Sequence, residues 1–323
     1  MRYYNIVISD ATSGATLRTY TSFQNGQSLP GALNVEIDII VSPYGTPAGN
    51  GLVRVWGVPL QDIGQASNFN GASIKVYGGM QKGLPLANPS QSGLLVQGSV
   101  FQAFGNWINT NQTLDLILAP PMGTPAAPAN LSFNWPAGQS ATTAMQNMLK
   151  TAFPGFQVSI NINPKLVQSF DEAGVYQTLT QFSQYIRQRT RAIINGGSST
   201  GTYQGVQVTV TGNKIVVADG TTKAAAKNVL FTDLIGQPTW FEPNRIQVTC
   251  VMRADISAQD YVTLPNTQPT TKAASLPRGF RYNSAFQGQF FVEQIRHVGN
   301  FRQPSAESWV TTLFCHPDQS VAA

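Results

Sequence analysis

Two histidines, His297 and His316, and two cysteines, Cys250 and Cys315, are all that 323 residues offer of these types, so imidazole or thiolate chemistry has few places to stand. His297 lies in an alternating stretch with Glu293 and Ile295 and reads as a packed strand histidine. Cys315 and His316 are adjacent, and adjacent strand side chains point to opposite faces, so they cannot form a nucleophile pair. A zinc site would need all four residues at separations unlike any common zinc module, and neither cysteine has a CxxC partner. Gly197-Ser198-Ser199-Thr200-Gly201 matches GxSxG, but the surrounding order is helix then strand, the reverse of a nucleophile elbow. Neither GxGxxG nor GxxxxGK[ST] occurs, which removes the usual phosphate cradles. Asp171-Glu172, the only adjacent acidic pair, reads better as a first helical turn favouring the helix dipole than as paired glycosidase carboxylates. These readings assign no catalytic, cofactor-binding or metal residue.

Two arginine groups suit contact instead. Arg187, Arg189 and Arg191 look like a nucleic-acid patch but read better as the C-terminal end of a helix, where they favour the dipole. Arg278, Arg281, Arg296 and Arg302 are interleaved with Phe280, Tyr282, Phe286, Phe290, Phe291 and Phe301, a composition typical of contact surfaces. From these, Arg278, Phe280, Arg281, Tyr282, Arg296 and Arg302 are the candidate assembly contacts. The segment Leu264 to Gly288 that carries the first four is long and rich in Pro, Thr and Ser, and is expected to be ordered by a neighbouring subunit or partner.

The elements that must position these residues are mostly strands. Charged residues make up 11% of the chain against roughly 25% in an average soluble protein, while 28 Gln and 22 Asn supply neutral polarity. Hydrophobic content of 42% excludes a disordered chain. The net charge of +5 is scattered, so electrostatic DNA binding is not demanded. No stretch approaches the roughly 18 apolar residues of a membrane span, and the start is too short and polar for a signal peptide. Two cysteines fit a reducing compartment.

Alternation predicts strands at Val35 to Ile39, Leu52 to Trp56, Ser73 to Tyr77, Leu94 to Phe101 and Thr113 to Leu118. Four prolines between Ala119 and Asn130 mark a boundary. Beyond it Ala141, Met145, Met148, Leu149 and Ala152 predict one helix. A second is predicted from Ser169 and Glu172, with capping-box spacing, through Val175, Leu179, Phe182, Ile186 and Ile193. Val206, Val208 and Val210 return through Gly212-Asn213 to Ile215 and Val217 as a hairpin. Strands resume at Ile246 to Met252, Phe291 to His297 and Trp309 to Cys315. The expected fold is mainly β, α+β overall, with domains at 1–121, 122–222 and 223–323.

Gly71 to Pro89, Gly98 to Trp107 and Thr113-Leu114-Asp115-Leu116 resemble baseplate hub proteins of contractile-tailed bacteriophages, and Asp233 to Trp240 and Phe291 to Gln303 resemble the later part of the same group. The resemblance implies two tube-like antiparallel β-barrel domains joined by a smaller mixed α/β insert. It further implies a homotrimeric ring that joins the tail tube to the central spike, starts tail assembly and contacts other baseplate proteins. DNA would pass through its channel without sequence-specific binding. The location implied is the virion tail baseplate, assembled in the host cytoplasm. No lytic activity is carried over, and the chain is not expected to be an enzyme. A tail-tube or distal-tail protein and a carbohydrate-binding adhesin module are the alternatives.

Overall fold

The computed structural model describes residues 1–41, 43, 47, 49–81, 88–119, 129–196, 203–211, 213–221, 225–242, 245–265, 286 and 288–317. In chain order the first segment holds β1 (Arg2–Ser9), β2 (Thr16–Thr21), the short pair β3 (Phe23–Gln24) and β4 (Gln27–Ser28), β5 (Asn34–Val41), β6 (Asn50–Trp56), helix α1 (Leu60–Gly64), β7 (Ser73–Met80), β8 (Gly93–Ile108) and β9 (Asn111–Ala119). The middle holds β10 (Leu131–Trp135), α2 (Ala141–Ala152), β11 (Gln157–Asn161), β12 (Glu172–Tyr176), α3 (Leu179–Ile194), β13 (Gln207–Thr211) and β14 (Lys214–Ala218). The last segment holds β15 (Lys227–Asn228), β16 (Thr239–Glu242), β17 (Arg245–Val251), β18 (Tyr261–Thr263), β19 (Gln289–Asn300) and β20 (Trp309–Pro317).

The chain is mainly β with a mixed insert, as its alternation predicts. Residues of Met1–Val41, Gly49–Ala119 and Ala224–Ala323 form one compact unit. Its sheet has thirteen strands, in the order β16-β17-β20-β19-β5-β6-β9-β8-β7-β1-β2, with β18 attached to β19 and β15 to β18. Among the described residues this order does not close on itself. The two β segments are thus edge to edge, joined where β5 runs antiparallel to β19. They share one core: Val35, Ile37 and Ile39 of β5 pack in the same cluster as Ile246, Val248, Ile295 and Leu313. Period-two alternation explains why, since every second residue of β5 is buried and Glu36 and Asp38 face out.

Bulges reset that alternation. In β19 Val292 opposes Cys315 and Gln294 opposes Phe314, so Glu293 is the extra residue. It turns outward to Arg245, 2.9 Å away, and does not share the inward face with Ile295 and His297 as plain alternation predicts. In β8 the extra residue is Phe101, left 63% exposed.

The insert is a second unit. β10 pairs with β12, and β11 lies parallel to β14, which pairs with β13. Phe133, Trp135, Met145, Leu149, Phe182, Ile186, Val208 and Ile215 belong to its core. The Ser140 side chain caps α2 by accepting the Thr143 N–H, as Thr178 does for α3 from Gln181. The second helix therefore starts at Leu179, about two turns later than the Ser169 and Glu172 spacing suggests. Glu172 instead opens β12, because its carboxylate serves as acceptor for Tyr185 Oη, Gln168 Nε2 and, at 2.9 Å, Arg189 Nε. Asp171 likewise accepts the Ala137 N–H at 2.8 Å. The adjacent acids thus tie loop and strand to their surroundings and do not charge a first helical turn.

One buried ionic group links the two β segments. Arg253 Nη1 lies 3.0 Å from Asp233, its Nε and Nη2 lie 2.7 and 2.6 Å from Asp255, and Gln91 Nε2 donates to Asp233 at 3.1 Å. Arg253→Ala strands the Asp233 carboxylate in the interior, and we expect a loss of about 3–5 kcal/mol. The exposed pair broken by Arg296→Ala should cost about 1 kcal/mol or less. Chemical denaturation of both variants checks the contrast; equal losses would show that burial does not set the scale here.

Candidate functional site

The outward face around the β5–β19 joint carries a row of polar groups that become partners only once the strands are placed. Register puts Asn300, Glu36, Arg54, Asp115 and Phe104 in one row across β19, β5, β6, β9 and β8. Along it Asn300 Nδ2 donates to Glu36 at 2.9 Å, and Arg54 Nη1 lies 3.8 Å from Glu36. Arg54 Nε and Nη2 grip Asp115 at 2.7 and 2.9 Å. The Asp115 hydrogen bonds raise the Arg54 pKa above its ordinary value. Diagonally across the joint, Arg296 clasps Asp38 with two bonds of 2.8 and 2.7 Å, which likewise raises its pKa. These bidentate pairs fix geometry as much as energy.

Beside the charged row runs an apolar one. Leu52 of β6 opposes Ile117 of β9, both partly exposed, and the bulged Phe101 and the row-end Phe104 lie exposed on β8. The β8–β9 hairpin ends in Trp107 and Ile108, 61% and 66% exposed, with the Trp107 indole N–H held by the Asn109 carbonyl at 2.9 Å. From Gln91 to Leu114 the sequence has no ionisable side chain, so this stretch offers shape and apolar contact without charge.

The candidate contacts read from the sequence fall into two groups. Arg278, Phe280, Arg281 and Tyr282 lie outside the described residues, as does the GxSxG string, Gly197 to Gly201. Arg296 and Arg302 are placed by intrachain bonds: Arg302 Nη2 donates to the Pro30 carbonyl at 3.2 Å and to that of Ala32, and Arg296 is held by Asp38. Phe286 is buried and stacks on Trp240 with ring centroids 5.8 Å apart. Of the helix arginines, Arg189 binds Glu172 and covers the Phe170 ring at 5.0 Å, while Arg187 donates to the Gln204 carbonyl. What sequence reasoning missed is the Glu36–Arg54–Asp115 row. Its signal is available: single charges at outward positions of nearly chargeless strands call for partners on neighbouring strands.

Cys250, Cys315 and His297 sit in the interior, and His316 is half-buried. His297 is buried, with Nδ1 2.9 Å from Thr311 Oγ1. Burial raises the Cys250 thiol to about 12 and pushes Cys315 up as well, so both stay protonated. His316 packs against Phe291 with centroids 4.9 Å apart. Among the described residues no group of three or more His, Cys, Asp or Glu is placed to hold a metal.

The chain has the fold of tail proteins. The tail protein of Neisseria meningitidis MC58 superposes with a TM-score of 0.53 at 10% identity, covering 98% of this chain and 97% of that one. The 43 kDa tail protein of prophage MuSo2 from Shewanella oneidensis gives 0.55 at 9% identity, with the same coverage. An Escherichia coli component of the type VI secretion system, described as structurally similar to the T4 bacteriophage tail proteins gp27 and gp5, gives 0.50 at 7% identity over 90% of this chain and 75% of its own. The sequence itself matches no protein-family model and no curated protein.

Burial also gives the joint a pH signature. It lowers the His297 pKa from 6.5 to about 4, so the fold favours the neutral ring. As pH falls below about 6.5 the unfolded chain takes up this proton first, and stability drains until the folded ring also protonates near 4. The stability present above pH 6.5 should fall by on the order of 3 kcal/mol over that window. His297→Gln should remove this part of the dependence. Urea denaturation at a series of pH values tests it, and an unchanged slope in the variant would assign the titration to another group.

Proposed function

We propose that the chain is a structural subunit of a bacteriophage-type tail: a baseplate hub protein, three copies of which form a ring between the tail tube and a central spike. The observation that carries this reading is that one chain lays two β segments side by side in one sheet, within a fold shared along nearly its whole length with tail proteins. Three copies would then present six such segments, the number needed to match a six-fold tube to a three-fold spike. Closed rings also leave no free sheet edge to pair without control.

The uncharged, partly apolar stretch of β8 and its hairpin turn supports the same reading. Interface cores are depleted in charge and enriched in aromatic residues, and Phe101, Phe104 and Trp107 have that character while remaining exposed in the single chain. Catalysis has no part in the proposal: its only histidines and cysteines are used in packing, and the role of the chain is to hold neighbours in register. DNA passing a channel lined by such a ring would meet few charges and no sequence-reading element.

Trp107 and Phe101 are the residues to test, since large exposed aromatics make the strongest anchors at interfaces. Replacing both with alanine should leave the thermal melt of the isolated chain unchanged. It should weaken incorporation into tails by about 2 kcal/mol or more, read from the subunit concentration that assembly requires. Imaging of assembled particles supplies the stoichiometry. Incorporation of the double variant at wild-type strength, or a copy number other than three at the tube end, would overturn the proposal.

A further inference from the structure

The insert contains a strand with an open side. β10 pairs with β12 along one edge, from Leu131 opposite Tyr176 to Trp135 opposite Glu172, and among the described residues no strand pairs with its other edge. Leu131, Phe133 and Trp135 point into the core while Ser132 and Asn134 point away. Helix α2 packs on the core side, with Met145 and Leu149 beneath the strand. A groove of about 560 Å³ is nevertheless lined both by the outward residues Asn130, Ser132 and Asn134 and by Asn147, Met148 and Thr151 of α2. Residues above the strand and a helix below it can meet only beside it, so the groove runs along the unpaired edge.

Exposed edges are ordinarily blunted by charge, proline, a bulge or a cover. The two ends of the large sheet follow that rule: β2 carries Arg18, paired with Asp62, and β16 carries Glu242, paired with Arg245. β10 has no charge of this kind, for neither the strand nor the groove lining contains an ionised side chain, and the proline of the lining, Pro136, follows the strand and lies outside its paired residues. Asn130 adopts a left-handed φ of 50° where the chain turns into the strand, leaving a run of regular backbone beyond it.

We propose that β10 and α2 form a docking groove for an extended, uncharged strand of a partner protein, which adds to β10 as a third strand. The backbone N–H and C=O groups of the open edge supply the affinity, and alternate side chains of the incoming strand meet Met148 and the amides of Asn134 and Asn147. Neutrality is required because a charge brought into this groove would give up water and find no counter-charge. This inference concerns the insert alone and stands or falls independently of the hub reading.

The test uses the full chain and a capped peptide of alternating valine and threonine, with binding followed by calorimetry. Saturable binding is expected. N-methylation of every peptide nitrogen removes the donors and should weaken binding by about tenfold or more, as should replacing threonine by lysine. Asn147→Trp with Thr151→Trp, two exposed helix positions, fills the groove and should weaken binding similarly with an unchanged thermal melt. Ser132→Lys, which places a charge at the edge, serves if the tryptophans disturb folding. Absence of saturable binding, retention by the fully methylated peptide, or indifference to every groove variant would overturn the proposal. So would a dimer of this chain that the groove variants dissociate, since the occupant would then be a second copy.

Discussion

The antiparallel contact between β5 and β19 is the constraint on which the large unit depends, because it joins residues as far apart in the chain as Glu36 and Asn300. Closing so long a loop costs conformational entropy before any contact offsets it, so the joint must be stabilised on both faces. Inside, the Trp309 indole donates to the Gly79 carbonyl at 2.9 Å, and Phe301 sits edge-on to both Tyr4 and Trp309. Gly299 is dictated by that arrangement: a Cβ there would lie 2.6 Å from the Trp309 ring. Outside, the Arg296–Asp38 clasp crosses the same pair of strands. At its end Arg2 donates to the carbonyls of Asn300, Phe301, Gln303 and Ser305, so the first strand of the chain holds the turn that follows β19.

This joint also shows how a chain with 20 Lys+Arg and 15 Asp+Glu spends its charges. Arg54, Arg245, Arg253 and Arg296 are each fixed by carboxylates of neighbouring strands or loops, and Arg2 and Arg302 by backbone carbonyls. Guanidinium groups suit both uses, since their planar fork matches a carboxylate or several carbonyls at once. Charge therefore works mainly as internal stitching, and the exposed hairpin of β8 and β9 is left neutral.

How much of this was legible in sequence follows from which signals are local. Alternation located β5, β6, β7 and β17 because one buried face imposes period two, while β9 and β20 are buried on both faces and were legible as apolar strand segments. The Ala141 to Ala152 helix and the hairpin of Val206 to Val217 were legible for the same kind of reason. The start of α3 was not: Ser169 and Glu172 have capping-box spacing, but Val175 proves 73% exposed, and the cap is Thr178. Local spacing cannot reveal that Tyr185 and Arg189 compete for Glu172 from across the fold. Bulges at Phe101 and Glu293 were hidden for a similar reason, since an extra residue is visible only against its partner strand. The Arg296 and Arg302 contacts lay in the same class. Their type suggested an interface, and only register shows that their nearest partners belong to the same chain.

The described arginines are held by partners within the chain, which leaves little of their charge to attract a partner from a distance. Net charge is +5 over 323 residues, and the exposed aromatic and amide surfaces carry no field of their own. Electrostatic steering raises association rates far above the roughly 10⁵–10⁶ M⁻¹s⁻¹ of neutral encounters, but this surface offers little of it. Any contact made through the apolar row of Leu52 and Ile117 rests on close fit. Such contacts form only when both surfaces are already in register, and salt screens them little. Selectivity at such contacts comes from shape at short range and not from attraction at long range.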